Sequence, residues 1–143
     1  MRFLLLSIVP LALSGCHSHN VHRFSDVDET QKSVTVPPGG KGLKGKLKTA
    51  LRDDGWELVV YSGPEVTEGS VGDKTQLKRY NTFNTRYSLF VVSRTYDYCL
   101  NLDPAITYDV SLVDNKTGTE VVTLDGKGCE GRVVDEFSKA LHK

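Results

Sequence analysis

The chain has no excess of charge of either sign: its 143 residues contain 18 lysines and arginines and 18 aspartates and glutamates. A nucleic-acid binder needs surplus positive charge to neutralise phosphates, so we do not expect nucleic acid as a partner. Long apolar runs are also missing, because residues 3–13 are only about half the length that a membrane-spanning helix requires. The sequence further lacks G-x-S-x-G, H-E-x-x-H and paired C-x-x-C motifs, and we predict no catalytic residue, metal site or cofactor.

The first residues have the features of an export signal. Arg2 supplies a positive charge, residues 3–13 are apolar, and Leu-Ser-Gly-Cys follows at residues 13–16. A short apolar run in this position is typical of a signal peptide. The ending resembles the lipobox of bacterial lipoproteins. The resemblance implies that a peptidase removes residues 1–15 and that Cys16 then carries lipid on its sulfur and on its new amino group.

The resemblance also implies a membrane anchor and an address. Lipoprotein maturation supplies palmitate together with further acyl chains, and several chains hold a protein on a membrane more firmly than one. His17 follows the lipidated cysteine, at a place where aspartate tends to retain enteric lipoproteins in the inner membrane. We therefore expect the protein on the periplasmic face of the outer membrane.

Residues 16–32 contain the lipidated cysteine and a polar stretch without periodicity, which is typical of a flexible tether. Such a tether would let the folded part stand off its membrane. His17, His19 and His22 could together bind copper, nickel or zinc. Because a flexible segment with an acylated amino group offers few fixed ligands, metal capture is kept only as an alternative.

Residues 33–143 carry the signals of a single globular α+β domain. Apolar residues at helical spacing predict a helix over residues 41–54 and another over residues 133–141. Strand patterns lie at residues 33–36, 57–61, 86–100, 106–114 and 120–126. We predict one mixed, mainly antiparallel sheet in the order β-α-β-β-β-β-α with a short first strand, or the same order with one strand fewer. Both helices are expected to pack on one face of it.

Residues 86–100 form the longest predicted strand. Its centre, residues 89–92, is apolar without interruption, which predicts burial on both faces as in a central strand. Towards its end, Arg94, Tyr96 and Tyr98 alternate and are predicted to share one face.

Cys99 and Cys129 are the cysteines that remain besides the lipidated one. Two chain reversals between them bring both to the same edge of the predicted sheet, and an oxidising compartment permits a disulfide. The alternative is two free thiols, one of them a reactive nucleophile. Because no histidine lies between residues 23 and 141 to activate a thiol locally, we predict the disulfide.

Residues 40–46 match the G-x-x-x-x-G-K part of a phosphate-binding loop. Leu47 stands where that loop needs a serine or threonine hydroxyl group, so we expect no nucleotide. Lysines on the exposed faces of this helix, namely Lys41, Lys44 and Lys48, could instead meet lipid phosphates or an acidic partner.

Residues 62–84 show no strong periodicity, and such a long loop is either an irregular excursion or a partner-binding segment. Arg79 and Tyr80 in this loop, and Tyr96 and Tyr98 beyond it, are candidate contact residues because arginine and tyrosine are enriched at protein interfaces. The alternative for the tyrosines is a set of half-buried strand positions whose hydroxyl groups reach water.

The lipobox together with this element order resembles small envelope lipoproteins such as the activators of cell-wall synthases. The resemblance implies a non-catalytic protein-binding or assembly module in the periplasm, with an envelope protein as its partner. The alternative is a small hydrolase or hydrolase inhibitor acting on envelope polymers. A cleft lined by two carboxylates would favour that alternative.

Overall fold

The computed structural model describes residues 18–61, 66–71, 75–80 and 84–142, and for the second and third of these segments it describes the backbone alone. Two helices and eight strands occur in these residues. In chain order they are β1 (Ser18–Arg23), β2 (Ser33–Val36), α1 (Gly42–Asp53), β3 (Glu57–Val60), β4 (Val66–Val71), β5 (Thr75–Tyr80), β6 (Tyr87–Tyr98), β7 (Pro104–Asp114), β8 (Thr119–Cys129) and α2 (Glu130–Leu141).

Six of the strands form one sheet in the order β1-β8-β7-β6-β2-β3, and β4 and β5 form a separate pair. β2 runs parallel to β3 and β6, whereas β6, β7, β8 and β1 pair antiparallel. The parallel strands β2 and β3 are joined through α1, the usual connection for such a pair. The predicted α+β class with a mixed, mainly antiparallel sheet is confirmed.

Both helices pack on one face of the sheet, as predicted. α1 contacts β3 and β6, α2 contacts β1, β7 and β8, and the helices contact each other. Leu43, Leu47 and Leu51 are buried because they repeat at intervals of one helical turn. Val133 and Phe137 are the fully buried counterparts on α2. Burying each such side chain stabilises the fold by about 1.5–3 kcal/mol.

Strand β1 lies in the segment that the sequence predicted as a flexible tether. Its backbone pairs with β8 from Ser18 opposite Lys127 to Arg23 opposite Val122. The Asn20 amide also donates a hydrogen bond to Asp125, at 2.9 Å. The tether prediction is therefore wrong over these residues. A polar edge strand is held by its backbone hydrogen bonds, and these leave no periodic pattern of side chains in the sequence.

The predicted long loop is also corrected in part. Within residues 62–84, strands β4 and β5 pair antiparallel, with Val66 opposite Tyr80 and Val71 opposite Thr75. An isolated two-stranded ladder depends on its turn and on its backbone pairing, and a weak apolar pattern does not reveal it.

The prediction that residues 89–92 are buried on both faces is wrong. Leu89 is buried, but Phe90 is 54% exposed and Val92 is 71% exposed. Because both helices cover the same face of the sheet, alternate side chains of β6 point to a face that neither helix covers. An uninterrupted apolar run therefore does not prove cover on both sides.

A β-bulge in β6 changes which side chains share a face. Arg94 pairs with Thr107 and Tyr98 pairs with Pro104, with the irregularity between Thr95 and Asp97. Thr107 and Pro104 are three residues apart on β7 and so point to opposite faces. The prediction that Arg94 and Tyr98 share a face is therefore wrong.

None of the helices in the described residues is long and apolar enough to cross a membrane.

A pair of phenylalanine substitutions tests the one-sided core. Phe137→Ala removes a side chain that is fully buried, and we expect the free energy of unfolding to fall by about 3–5 kcal/mol. Phe90→Ala is the matched control on the uncovered face, where we expect a change within about 0.5 kcal/mol. Urea unfolding followed by circular dichroism measures both. Equal losses for the two variants would contradict this assignment of the core.

Candidate functional site

Among the described strands, only β7 pairs with β6 along most of its length. β2 pairs only with Tyr87 and Ser88, whereas β7 pairs with β6 from Tyr87 to Tyr98. In the part of the chain that the structure describes, no strand pairs with residues 90–98 on the side away from β7. We call this side the open edge. Its backbone N–H and C=O groups are available to an added strand.

Side chains along the open edge are exposed on both faces of the sheet. Every residue from 92 to 98 is exposed, including the predicted contact residues Tyr96 and Tyr98. Phe90 and Val92 add an apolar area that the sequence analysis missed. Exposed apolar side chains beside unpaired backbone are typical of a protein-binding surface. The available signal was indirect: two predicted helices on one face leave the other face of the sheet without cover.

Two features restrict what can pair with the open edge. Arg94 and Asp97 place opposite charges on it, and the bulge between Thr95 and Asp97 interrupts its regular geometry. Charged side chains and bulges are the means by which natural sheets avoid indiscriminate edge-to-edge association. A partner strand must therefore match both the charges and the irregular backbone.

Cys99 and Cys129 form a disulfide, which confirms the predicted pairing. The bond joins the end of β6 to the end of β8, directly before α2. With a sequence separation of 30 residues, closing this loop stabilises the fold by about 3.5–4 kcal/mol in the loop-entropy model. The open edge is thereby fixed to the rest of the sheet at one end.

Residues 99–103 form the turn between β6 and β7, which we call the tip turn. The Cys99 N–H donates to the Asp103 carbonyl oxygen at 2.8 Å, and the Leu102 N–H donates to the Cys99 carbonyl oxygen at 2.9 Å. Leu100 and Leu102 are both exposed. These leucines are a second set of residues that the sequence analysis missed. The available signal was the presence of two leucines within an otherwise polar turn.

Leu102 has an unusual backbone conformation as well as an exposed side chain. Its φ angle of 64° lies in the left-handed region, and it is the only non-glycine residue with positive φ in the described part of the chain. This conformation costs a residue with a Cβ atom about 1–2 kcal/mol. Glycine or asparagine would fit the turn with less strain, so folding alone gives no reason for a leucine here.

Lys46 ties the tip turn to both helices. Its ammonium group lies 2.8 Å from Asp103 and 2.9 Å from the buried Glu130, while the second Asp103 oxygen accepts the Gly131 N–H at 2.6 Å. Burial acts to raise the pKa of Asp103, but the hydrogen bonds from Lys46 and Gly131 lower it more, so the net pKa is lowered. Lys46 is the lysine of the phosphate-loop pattern. Here it lies within helix α1 and binds the carboxylates of the tip turn and of α2.

The other predicted contact residues are spread over different elements. Lys44 and Lys48 donate to the carbonyl oxygens of Pro38 and Gly39, so they stabilise the loop before α1. Burial lowers the pKa of Lys48, and the neighbouring cations Lys44 and Arg52 lower it further. Lys41 is exposed at the start of α1.

The side chains of three further predicted site residues lie outside the described part of the structure. Arg79 and Tyr80 lie on β5, where side chains are outside the described residues. Cys16, the predicted lipidation site, also lies outside them.

The histidines of the N-terminal segment do not converge. His19 and His22 are three residues apart on β1, opposite Gly126 and Thr123, and so point to opposite faces. The His19 ring lies 2.6 Å from the Tyr108 hydroxyl group, and burial raises the pKa of Tyr108 to about 12. His17 lies outside the described residues. Among the residues that the structure describes, no three histidine, cysteine or acidic side chains are grouped to hold a metal ion.

A polar cleft of about 790 Å³ lies at the end of the sheet opposite the tip turn. Its lining includes two carboxylates, Glu29 and Glu57, together with Lys32, Arg86 and Lys116. Lys32 lies 2.7 Å from Glu29, and Arg86 is held by Asp114 at 2.6 Å. Glu29 and Glu57 thus share one cleft, which is the arrangement that the hydrolase alternative requires.

Comparisons with known proteins add little to this geometry. No family model and no curated protein matches the chain. Among solved structures, the PelC dodecamer from Paraburkholderia phytofirmans has a TM-score of 0.49 and 14% identity, covering 87% of this chain and 95% of that chain. A point variant of the same dodecamer has a TM-score of 0.48 with the same identity and coverage. Neither structure assigns a role to any residue of this chain.

The Arg86–Asp114 pair at the cleft predicts a pH dependence of stability. Burial would raise the pKa of Asp114, but hydrogen bonds from Arg86 and from the Lys116 N–H outweigh it, so the net pKa falls below its ordinary value of 3.8. The pair therefore stabilises the fold above that value, and the stabilisation is lost as the pH falls through the lower pKa of the folded state.

We expect Asp114→Asn to lower the urea midpoint at pH 7 and to reduce the difference between the midpoints at pH 7 and pH 3. Asp109→Asn is the control, since Asp109 is exposed on the same strand. The expectation fails if both variants keep the full difference.

Proposed function

We propose that this chain is a lipid-anchored envelope lipoprotein that binds a protein partner without catalysis, on the periplasmic face of the outer membrane. The open edge of β6 carries the proposal. An extended segment of the partner adds to the sheet there as a further strand, with main-chain hydrogen bonds to residues 90–98. Phe90 and Val92 supply the apolar contact beside it.

Two properties support this assignment over a hydrolase. The exposed apolar side chains lie beside unpaired backbone rather than in a closed cleft. The carboxylates whose pKa is shifted among the described residues are all shifted downward, as in ion pairs: Asp28, Asp54, Asp103, Asp114 and Glu136. None of these five carboxyl groups has the raised pKa that a general acid requires for proton transfer.

The side chains of the open edge also restrict the chemistry of the partner strand. It needs apolar side chains on the face of Phe90 and Val92, and it needs charges that complement Arg94 and Asp97. The hairpin formed by β4 and β5, with Arg79 and Tyr80, and the lysines of α1 are secondary contact regions in this proposal.

Site-specific photocrosslinking in intact cells tests the open edge. With a photoreactive amino acid at Val92, we expect a discrete crosslinked protein, and we expect Phe90→Asp to reduce its yield about tenfold because a buried charge opposes the apolar contact. His22 is the control position because it is exposed on the edge strand at the other side of the same sheet. Equal adducts from both positions, or none from Val92, would rule the open edge out.

The lipid anchor has its own test. We expect palmitate labelling of the intact chain and loss of all label in Cys16→Ser, since no other acylation site is proposed. Cleavage before Cys16 is read from the mass of the mature protein. An unprocessed N-terminus would overturn the lipoprotein assignment.

A further inference from the structure

We propose that the tip turn inserts into the surface of the membrane that carries the lipid anchor. The tip turn contacts the headgroup and upper acyl region of the bilayer. This inference rests on the proposed lipidation of Cys16. It adds a second, non-covalent membrane contact made by Leu100 and Leu102.

The position of β1 fixes where the anchor must lie. Ser18, two residues after Cys16, already pairs with Lys127 of β8. Two extended residues span at most about 7 Å. The link between the lipidated cysteine and the folded domain is therefore only two residues long. The end of the molecule at Ser18 must face the lipid.

The tip turn lies at this same end of the molecule. β8 continues only two residues past Lys127, to Cys129, and Cys129 is bonded to Cys99 at the start of the turn. We call this end, formed by Ser18, Cys129 and residues 99–103, the anchor-side pole. The anchor and the tip turn are therefore presented to one surface.

The anchor-side pole has the composition of an interfacial membrane contact. Leu100 is fully exposed, Leu102 is 82% exposed and Tyr98 is 67% exposed. Leucine side chains enter the acyl region, and tyrosine rings lie at the headgroup level because they have an apolar body and a polar tip. Lys127 and Lys41 are exposed cations at this end, and they suit anionic headgroups. Asp97 is an exposed carboxylate nearby and opposes them.

The tip turn is held in shape before it meets any lipid. The disulfide fixes Cys99, and Asp103 is bound by Lys46 and by the Gly131 N–H. A turn fixed in this way keeps its leucines projecting and loses little conformational entropy on insertion. The strained φ angle of Leu102 is consistent with a side chain retained for binding rather than for folding.

Fluorescence quenching tests the orientation directly. The mature lipidated protein is reconstituted in vesicles of phosphatidylethanolamine and phosphatidylglycerol that contain brominated lipid. We expect emission from Leu100→Trp to be quenched and blue-shifted. Lys116→Trp, in a turn at the opposite end of the sheet, should behave as in water. Trp56, the single native tryptophan, is buried and supplies the background measured in the unsubstituted protein.

A second measurement separates the tip from the anchor. Residues 17–143, which lack both the apolar signal and the lipidated cysteine, are titrated with the same vesicles, and we expect Leu100→Ser combined with Leu102→Gly to weaken binding by at least about tenfold. Glycine accepts the positive φ at residue 102, so this variant should keep its fold, which circular dichroism checks. Phe90→Ser is the control and should bind as before.

The outcomes distinguish this inference from the proposed function. Acylated Cys16 with no quenching at Leu100→Trp overturns the tip contact and leaves the lipoprotein assignment intact. Unacylated Cys16 with vesicle binding that depends on both leucines supports the tip and overturns the assignment. A change in oligomeric state without any change in vesicle binding would make the leucines a contact between copies of the chain, and would overturn the membrane contact.

Discussion

Burial of two helical apolar stripes against one face of a six-stranded sheet is the constraint on which the rest of this structure depends. It draws α1 and α2 together over β6, β7 and β8, and neither of these helices, the two in the described residues, covers the opposite face. The exposure of Phe90 and Val92 follows from that asymmetry. The exposed apolar surface is thus a by-product of how the core is built, because both helices pack on the same face of the sheet.

A mismatch in strand length creates the open edge. β2 has four residues and β6 has twelve, so the shorter strand pairs only with the beginning of the longer one. No other described strand pairs with the remaining backbone groups on that side of β6, and such groups need a hydrogen-bond partner. Water or a partner strand must do so, and the bulge with Arg94 and Asp97 restricts which partners can.

Three tertiary contacts meet where the chain leaves β6. The disulfide, the Lys46–Asp103 pair and the Asp103–Gly131 hydrogen bond all act within a few residues of the tip turn. Together they connect the turn to β8 and to both helices, so the leucines of the turn keep their position. In the proposed orientation, the membrane meets a fixed surface, and the open edge of β6 runs away from it towards a partner.

The sequence by itself determined what depends on local periodicity or on counting chain reversals. It predicted both helices, the alternation of β7 and the Cys99–Cys129 pairing, because each follows from spacing along the chain. The tertiary structure alone decided that β1 is a strand, that Phe90 faces solvent and that Tyr98 and Arg94 lie on opposite faces. These outcomes depend on which neighbour a strand meets, how many helices cover the sheet and where a bulge shifts the register. Residues distant in the chain set all three, so no local pattern contains them.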